Sequence, residues 1–212
     1  MHDWQNWNDI WRKIRKTKFD KYQNSNKQHK ISTKESVMNT STFIISLFPI
    51  VFMFHDFEEI IFFKPWINKN SAYLRERFPR LSNNFLPRFE SLSTSGFALA
   101  VAEEFVLLSL ITYGSIYFDN YYLWLATFMG FFIHLIIHVI QWIILKKYIP
   151  TIITSLISLP YCIYTFIRIL EINMFQVFEI VLWTFIGLLI IGVNVLFAHK
   201  LGRTLDTRIK NN

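Results

Sequence analysis

Hydrophobic positions along this chain gather into long runs separated by short polar breaks, not into amphipathic stripes. Four runs, at about 93–118, 121–145, 150–170 and 175–198, reach the ~20 residues a helix needs to cross a hydrocarbon core. A fifth, at about 41–63, carries the polar sequence His55-Asp56-Phe57-Glu58-Glu59 in its second half. Asp119-Asn120 forms a tight turn between the 93–118 and 121–145 runs, and Lys146-Lys147 ends the latter. Pro150 opens the next run, which closes with Arg168 and its i+3 partner Glu171; the last run exits through His199-Lys200. The pattern predicts an all-α, polytopic membrane helix bundle of four to five segments.

The flanks read differently. Trp4, Trp7, Trp11 and Ile14 recur at steps of three and four and share one helical face, with Arg12, Lys13, Arg15 and Lys16 around it. This predicts an amphipathic helix lying at the membrane interface; packing on the protein's own loops is the alternative. Residues 20–40, rich in Lys, Asn, Ser and Gln, read as a flexible linker. Residues 64–91 interleave six basic residues with aromatic ones, and Pro65, Pro79 and Pro87 argue against a long uninterrupted helix there. An interfacial segment and a solvated basic loop both fit. The domain plan is then 1–40 as interfacial helix and linker, 41–199 as helix bundle, and 200–212 as a basic polar tail.

Composition adds little to this plan, and charge adds more. The chain is 52% hydrophobic and 18% aromatic, with a length that suits one compact domain. Its single cysteine, Cys162, excludes an internal disulfide, and no cleavable signal peptide is evident before the first apolar run. The net charge of +7 comes from basic residues flanking the apolar runs. That placement suits anionic lipid headgroups and argues against nucleic acid. If all five runs cross, Lys and Arg divide about ten against twelve; if the first does not, they divide twenty-one against one. The positive-inside rule favours the second case, with a first segment that is re-entrant or lies within the bundle and a cytoplasmic N-terminus. A five-span topology is the rival.

Three polar clusters interrupt the apolar sequence. His55, Glu58 and Glu59 share a helical face, whereas Asp56 lies about 100° round from His55. Glu103 and Glu104 are adjacent, so at least one can face a bundle interior. His134 and His138 are spaced i, i+4, as two imidazoles holding one metal ion would be, and Gln141 could support His138. Glu104 and His134 both lie roughly 22 Å from the Asp119-Asn120 turn at 1.5 Å rise per residue, so their depths match. Five ionised carboxyls at mid-membrane would cost on the order of 12–17 kcal/mol, and no Lys or Arg lies at that depth. Protonation, histidinium or a bound cation must offset this. Mixed imidazole and carboxylate donors suit Zn, Fe or Mn, as one or two ions, better than Ca or Mg. A protonated hydrogen-bond network that only fixes packing, and a proton or ion path, are the competing accounts.

Together these clusters resemble the HXXEE-motif family of small bacterial integral membrane proteins, a resemblance extending over about 43–198. It rests on His55-Asp56-Phe57-Glu58-Glu59, Ala102-Glu103-Glu104 and His134-Leu135-Ile136-Ile137-His138, followed by Tyr148-Ile149-Pro150 and Thr154. The resemblance implies a shared site in a bacterial cell membrane and supplies no substrate. The expected metal ligands are His55, Glu58, Glu59, Glu103, Glu104, His134 and His138, with Glu58 or Glu103, if left uncoordinated, as general base. The expected activity is hydrolysis of a lipid-like or membrane-delivered amide, ester or phosphoester by a metal-activated water. A di-iron-type oxidase or hydroxylase and a cation- or proton-coupled transporter are the alternatives.

Overall fold

A computed structural model describes residues 16–18, 21, 23–25, 27–28 and 38–211, and the chain divides into two units, 1–43 and 44–212. In the first unit, residues 16–18, at the end of the expected interfacial helix, are helical and exposed, and so are 21, 23–25 and 27–28, where a flexible linker is expected. Low apolar content predicts that such a segment lacks a buried face, but Lys and Gln are themselves good helix formers. The expected helix carrying Trp4, Trp7, Trp11 and Ile14 lies outside the described residues.

The second unit is all helix: α1 (Phe48–Arg77), α2 (Pro79–Glu90), α3 (Thr94–Phe118), α4 (Tyr122–Leu145), α5 (Ile152–Glu171) and α6 (Val177–Asn211). The described residues include no strand. Helices α3 to α6 are long and apolar enough to cross a membrane, as the four long runs predict. Ser93 caps α3 by accepting from the Gly96 N–H (2.9 Å), and Asp119 closes it in the left-handed region (φ 50°). Lys146 closes α4 in the same way (φ 51°).

Three expectations change. The 64–91 stretch is neither loop nor irregular, because α1 continues through Pro65 to Arg77 and α2 follows directly. A proline inside a helix removes one ladder bond, which neighbours can offset. Here the flanking residues are anchored: Trp66 Nε1 donates to the Tyr148 carbonyl (2.7 Å), and Lys64 Nζ donates to the Glu90 carbonyl. Pro79 does break the helix. It forces Phe78 out of the α region (φ −133°, ψ 60°) and then serves as the first residue of α2. Second, residues 200–211 are no separate tail but the end of α6. Gly202 packs so closely on Gly96 that a Cβ would overlap the Gly96 carbonyl. One turn on, the buried Asp206 carboxylate accepts from the Ser93 N–H (2.8 Å) and from the Ser93 hydroxyl, at the positive end of α3. Third, the first apolar run does not turn back: past a turn at Leu47 it continues as one helix to Arg77, and this helix is not among the four long and apolar enough to cross.

Ring and side-chain contacts set the helix directions. Phe48 meets Trp124 and Phe128, Phe52 meets Phe131 and His55 meets His134, so α1 runs beside α4 in the same direction. Tyr122 stacks on Trp183 and Gly187 abuts Ala126, so α6 also runs with α4, while α3 opposes α6. One end of the bundle collects the α1–α2 junction, the end of α4 and the end of α6; there Lys147 Nζ lies 3.5 Å from the centre of the Tyr73 ring. This end carries twelve of the thirteen Lys and Arg residues of the second unit. The exception, Arg168 at the other end, pairs with Glu171 at 2.5 Å, as expected.

Candidate metal centre

The two histidine clusters meet because α1 and α4 run in register. His55 and Glu59, one turn apart on α1, face His134 and His138, one turn apart on α4. One donor atom from each of the four lies within 4.8 Å of every other. His138 Nε2 is 2.8 Å from His134 Nε2 and 3.4 Å from Glu59 Oε1. Nitrogen donors at ~2.0–2.1 Å from a tetrahedral ion lie about 3.3 Å apart. To hold an ion at the centre, the closest pair would open by about half an ångström, and donors as far as 4.8 Å apart would close by about 1.5 Å.

Hydrogen bonds around the cluster fix which nitrogens point inward. The Thr154 hydroxyl donates to Glu58 Oε2 at 2.7 Å, so its lone pair faces His55 Nδ1 at 3.2 Å. That nitrogen must then carry the proton, and the lone pair falls on Nε2. His55 Nε2 is fully buried and has no hydrogen-bond partner among the described residues. A buried imidazole acceptor left this way is costly unless something binds it. His138 follows the same logic: Gln141 Oε1, which can only accept, lies 3.1 Å from His138 Nδ1 and turns Nε2 toward the cluster. Gln141 thus holds the place expected of it. A metal-ligating histidine usually donates its other N–H in this manner.

Each pair of adjacent glutamates is split. Consecutive residues on a helix point about 100° apart, so Glu59 faces α4 while Glu58 faces α5. Glu58 accepts from the Tyr148 hydroxyl (2.7 Å), the Thr154 N–H (2.8 Å) and the Thr154 hydroxyl, and stands outside the cluster. Partial burial, and then Glu58 itself, raises the Tyr148 phenol above its ordinary range and keeps it a donor. Glu103 turns to α6 and accepts from Asn194 Nδ2 at 3.2 Å, while Glu104 turns to the interior. The structure therefore brings His55, Glu59, His134 and His138 together, sets Glu104 beside them, and does not bring Glu58 or Glu103 to the same point. Asp56, which helical spacing from His55 leaves off the shared face, is 4% exposed and a close electrostatic neighbour of Glu59 and Glu104. Its spacing from Glu59, i to i+3, is the sequence signal that would have found it. Tyr148 and Thr154 enter the sequence reading only through the resemblance; helical spacing gives no signal of their role.

The cluster opens into a cavity of about 640 Å³, in the size range of pockets that enclose small ligands. Asp56, Glu59, Glu104, His134 and His138 line one part. The rest is largely apolar, including Phe63, Leu74, Phe78 and Leu86, and leads toward the basic end.

A family model described as a protein of unknown function with HXXEE motif matches residues 46–165, which include all four cluster residues. No curated protein and no solved structure matches the chain.

Proposed function

The chain belongs to the HXXEE-motif family of unknown function, and we propose that it is a membrane-embedded, metal-dependent enzyme that hydrolyses a lipid-like substrate. One observation carries the reading. Three inward-turned imidazole nitrogens and a carboxylate oxygen converge among apolar helices, with His55 Nε2 buried and unpartnered. Three His and one carboxylate suit Zn, Fe or Mn. A divalent ion held there would lower the pKa of a water and polarise a carbonyl or phosphoryl oxygen. The chain's own residues orient and enclose. Thr154 and Gln141 fix the tautomers of His55 and His138. Glu58, expected as ligand or base, holds Thr154 and the loop at Tyr148. The apolar cavity takes the substrate's chain and excludes bulk water. Twelve basic residues at its end of the bundle favour a cytosolic setting beside anionic headgroups.

Metal content of the detergent-purified protein, measured by elemental mass spectrometry, tests this. Wild type should hold Zn, Fe or Mn, and His134→Ala/His138→Ala should lose it with its helical circular dichroism intact. Absence of metal from wild type after reconstitution with each ion would refute the reading. The identity of the ion then selects hydrolytic or oxidative assays.

A further inference from the structure

We infer that a second divalent cation binds beside the histidine cluster, held by Asp56, Glu59 and Glu104, with Glu59 shared between the two ions. The inference rests on the metal-centre reading and extends it to residues outside that ligand set. Asp56 and Glu59 lie one turn apart on α1 and face Glu104 from α3; all three line the same cavity. Asp56 is more than nine-tenths buried, opens into that cavity, and has no hydrogen-bond partner among the described residues. Buried carboxylates are ordinarily hydrogen-bonded or paired with a cation.

Charge leads to the same place. Glu59 is the shared electrostatic neighbour of Asp56 and Glu104 and also faces His55, His134, His138 and, across the cavity, His199; no Lys or Arg is among the neighbours of the three acids. Were Asp56, Glu59 and Glu104 all ionised, they would carry three negative charges. One divalent ion at the histidines would offset two of these, and a second cation would offset the third. The second position offers only oxygen donors, so it should prefer Mn or Fe to Zn. A shared carboxylate would place the ions about 3.5–4 Å apart, the separation of two-metal hydrolytic sites.

The test loads the full-length, metal-stripped protein in detergent with Mn2+, removes the excess, and reads manganese content beside the electron paramagnetic resonance spectrum. Wild type should hold two equivalents with an exchange-coupled spectrum. Asp56→Asn and, independently, Glu104→Gln should each hold one, uncoupled, with unchanged helical circular dichroism. A single uncoupled equivalent in wild type overturns the second site and leaves the histidine centre standing. Two equivalents retained in both variants overturns the residue assignment. No manganese in wild type, with none of Zn or Fe either, overturns both readings together.

Discussion

Replacing Thr154 with valine separates a residue that positions a ligand from one that merely packs. The side chains are nearly isosteric, so the change removes one hydroxyl and little volume. Glu58 loses the 2.7 Å bond from that hydroxyl but keeps the Thr154 N–H at 2.8 Å and the Tyr148 hydroxyl at 2.7 Å. A hydrogen bond to a charged group contributes about 1.5–3 kcal/mol, and with two of three donors surviving the fold should lose no more than that. The larger effect falls on His55. Without the hydroxyl at 3.2 Å, its Nδ1 proton has no acceptor there, and the ring can place the proton on Nε2 instead. Loss of such a supporting bond typically lowers metal affinity 10- to 100-fold, about 1.4–2.7 kcal/mol. Competition against a fluorescent chelator in detergent should therefore give a 10- to 100-fold weaker Kd for Zn2+ in Thr154→Val, with stoichiometry unchanged. Thr154→Ser should restore most of the loss. Glu58→Gln should also keep wild-type stoichiometry, which it could not do if Glu58 were a ligand. Wild-type affinity in Thr154→Val, or a Thr154→Ser as weak as the valine variant, would refute the tautomer argument.

Two further outcomes test the frame around the centre. Gly187→Ala should lower the Tm in detergent, because its Cβ would overlap the Ala126 carbonyl, and such overpacking costs about 1–3 kcal/mol; Gly192→Ala, which meets nothing within 4 Å, should leave Tm unchanged. If the basic end faces the cytosol, a membrane-impermeant maleimide added to intact cells should label Asn173→Cys and not Lys147→Cys; the buried native Cys162 should stay silent, and the reverse pattern would invert the bundle.

The helices and the site differ in how far sequence alone reveals them. Four spans, the Asp119-Asn120 turn and the Arg168–Glu171 pair follow from local chemistry: run length, turn residues and i+3 spacing. The shared depth of Glu104 and His134 follows too, from their spacing about the Asp119-Asn120 turn, whereas His55 joins them in sequence through donor chemistry and not through depth. Choosing between adjacent acids does not. Glu58 and Glu59 are equivalent in sequence, and only the placement of α4 on one side of α1 and α5 on the other assigns one to the cluster and one to Thr154. Asp56 was hard to place because its relation to His55 obscured its relation to Glu59. Pro65 misleads for a similar reason: its cost is local, and the contacts of Lys64 and Trp66 that offset it are distant in sequence. The charge count turns on whether the first run crosses, which sequence alone does not decide. With α1 running alongside α4, the division that matters is the twelve-to-one split within residues 44–212, and the nine basic residues before position 41 stand outside it.

The position of the centre along the bundle bears on whether it catalyses or conducts. His138 lies eight residues before Lys146, roughly 12 Å from the basic end, while His134 lies roughly 21 Å from the Asp119-Asn120 turn. The cavity leads toward the nearer end. On the other side it reaches Thr127 and Phe131, and beyond them Phe48, Trp124 and Phe128 pack ring against ring, fully buried. A transporter must open its site to each side in turn, and opening this one to the far side would require parting the most tightly packed region of the bundle. Alternating access commonly moves whole helices about a central site; here α1 supplies Phe48 and two of the ligands while α4 supplies the other three rings and the other two ligands, so parting them would dismantle the centre it was meant to expose. A catalyst has no such requirement. It can admit a lipid-like substrate from one side, hold its reactive group at the histidines, and release products by the same route, with the aromatic layer sealing the far side throughout. A cavity that stops at this aromatic layer fits the proposed chemistry better than passage.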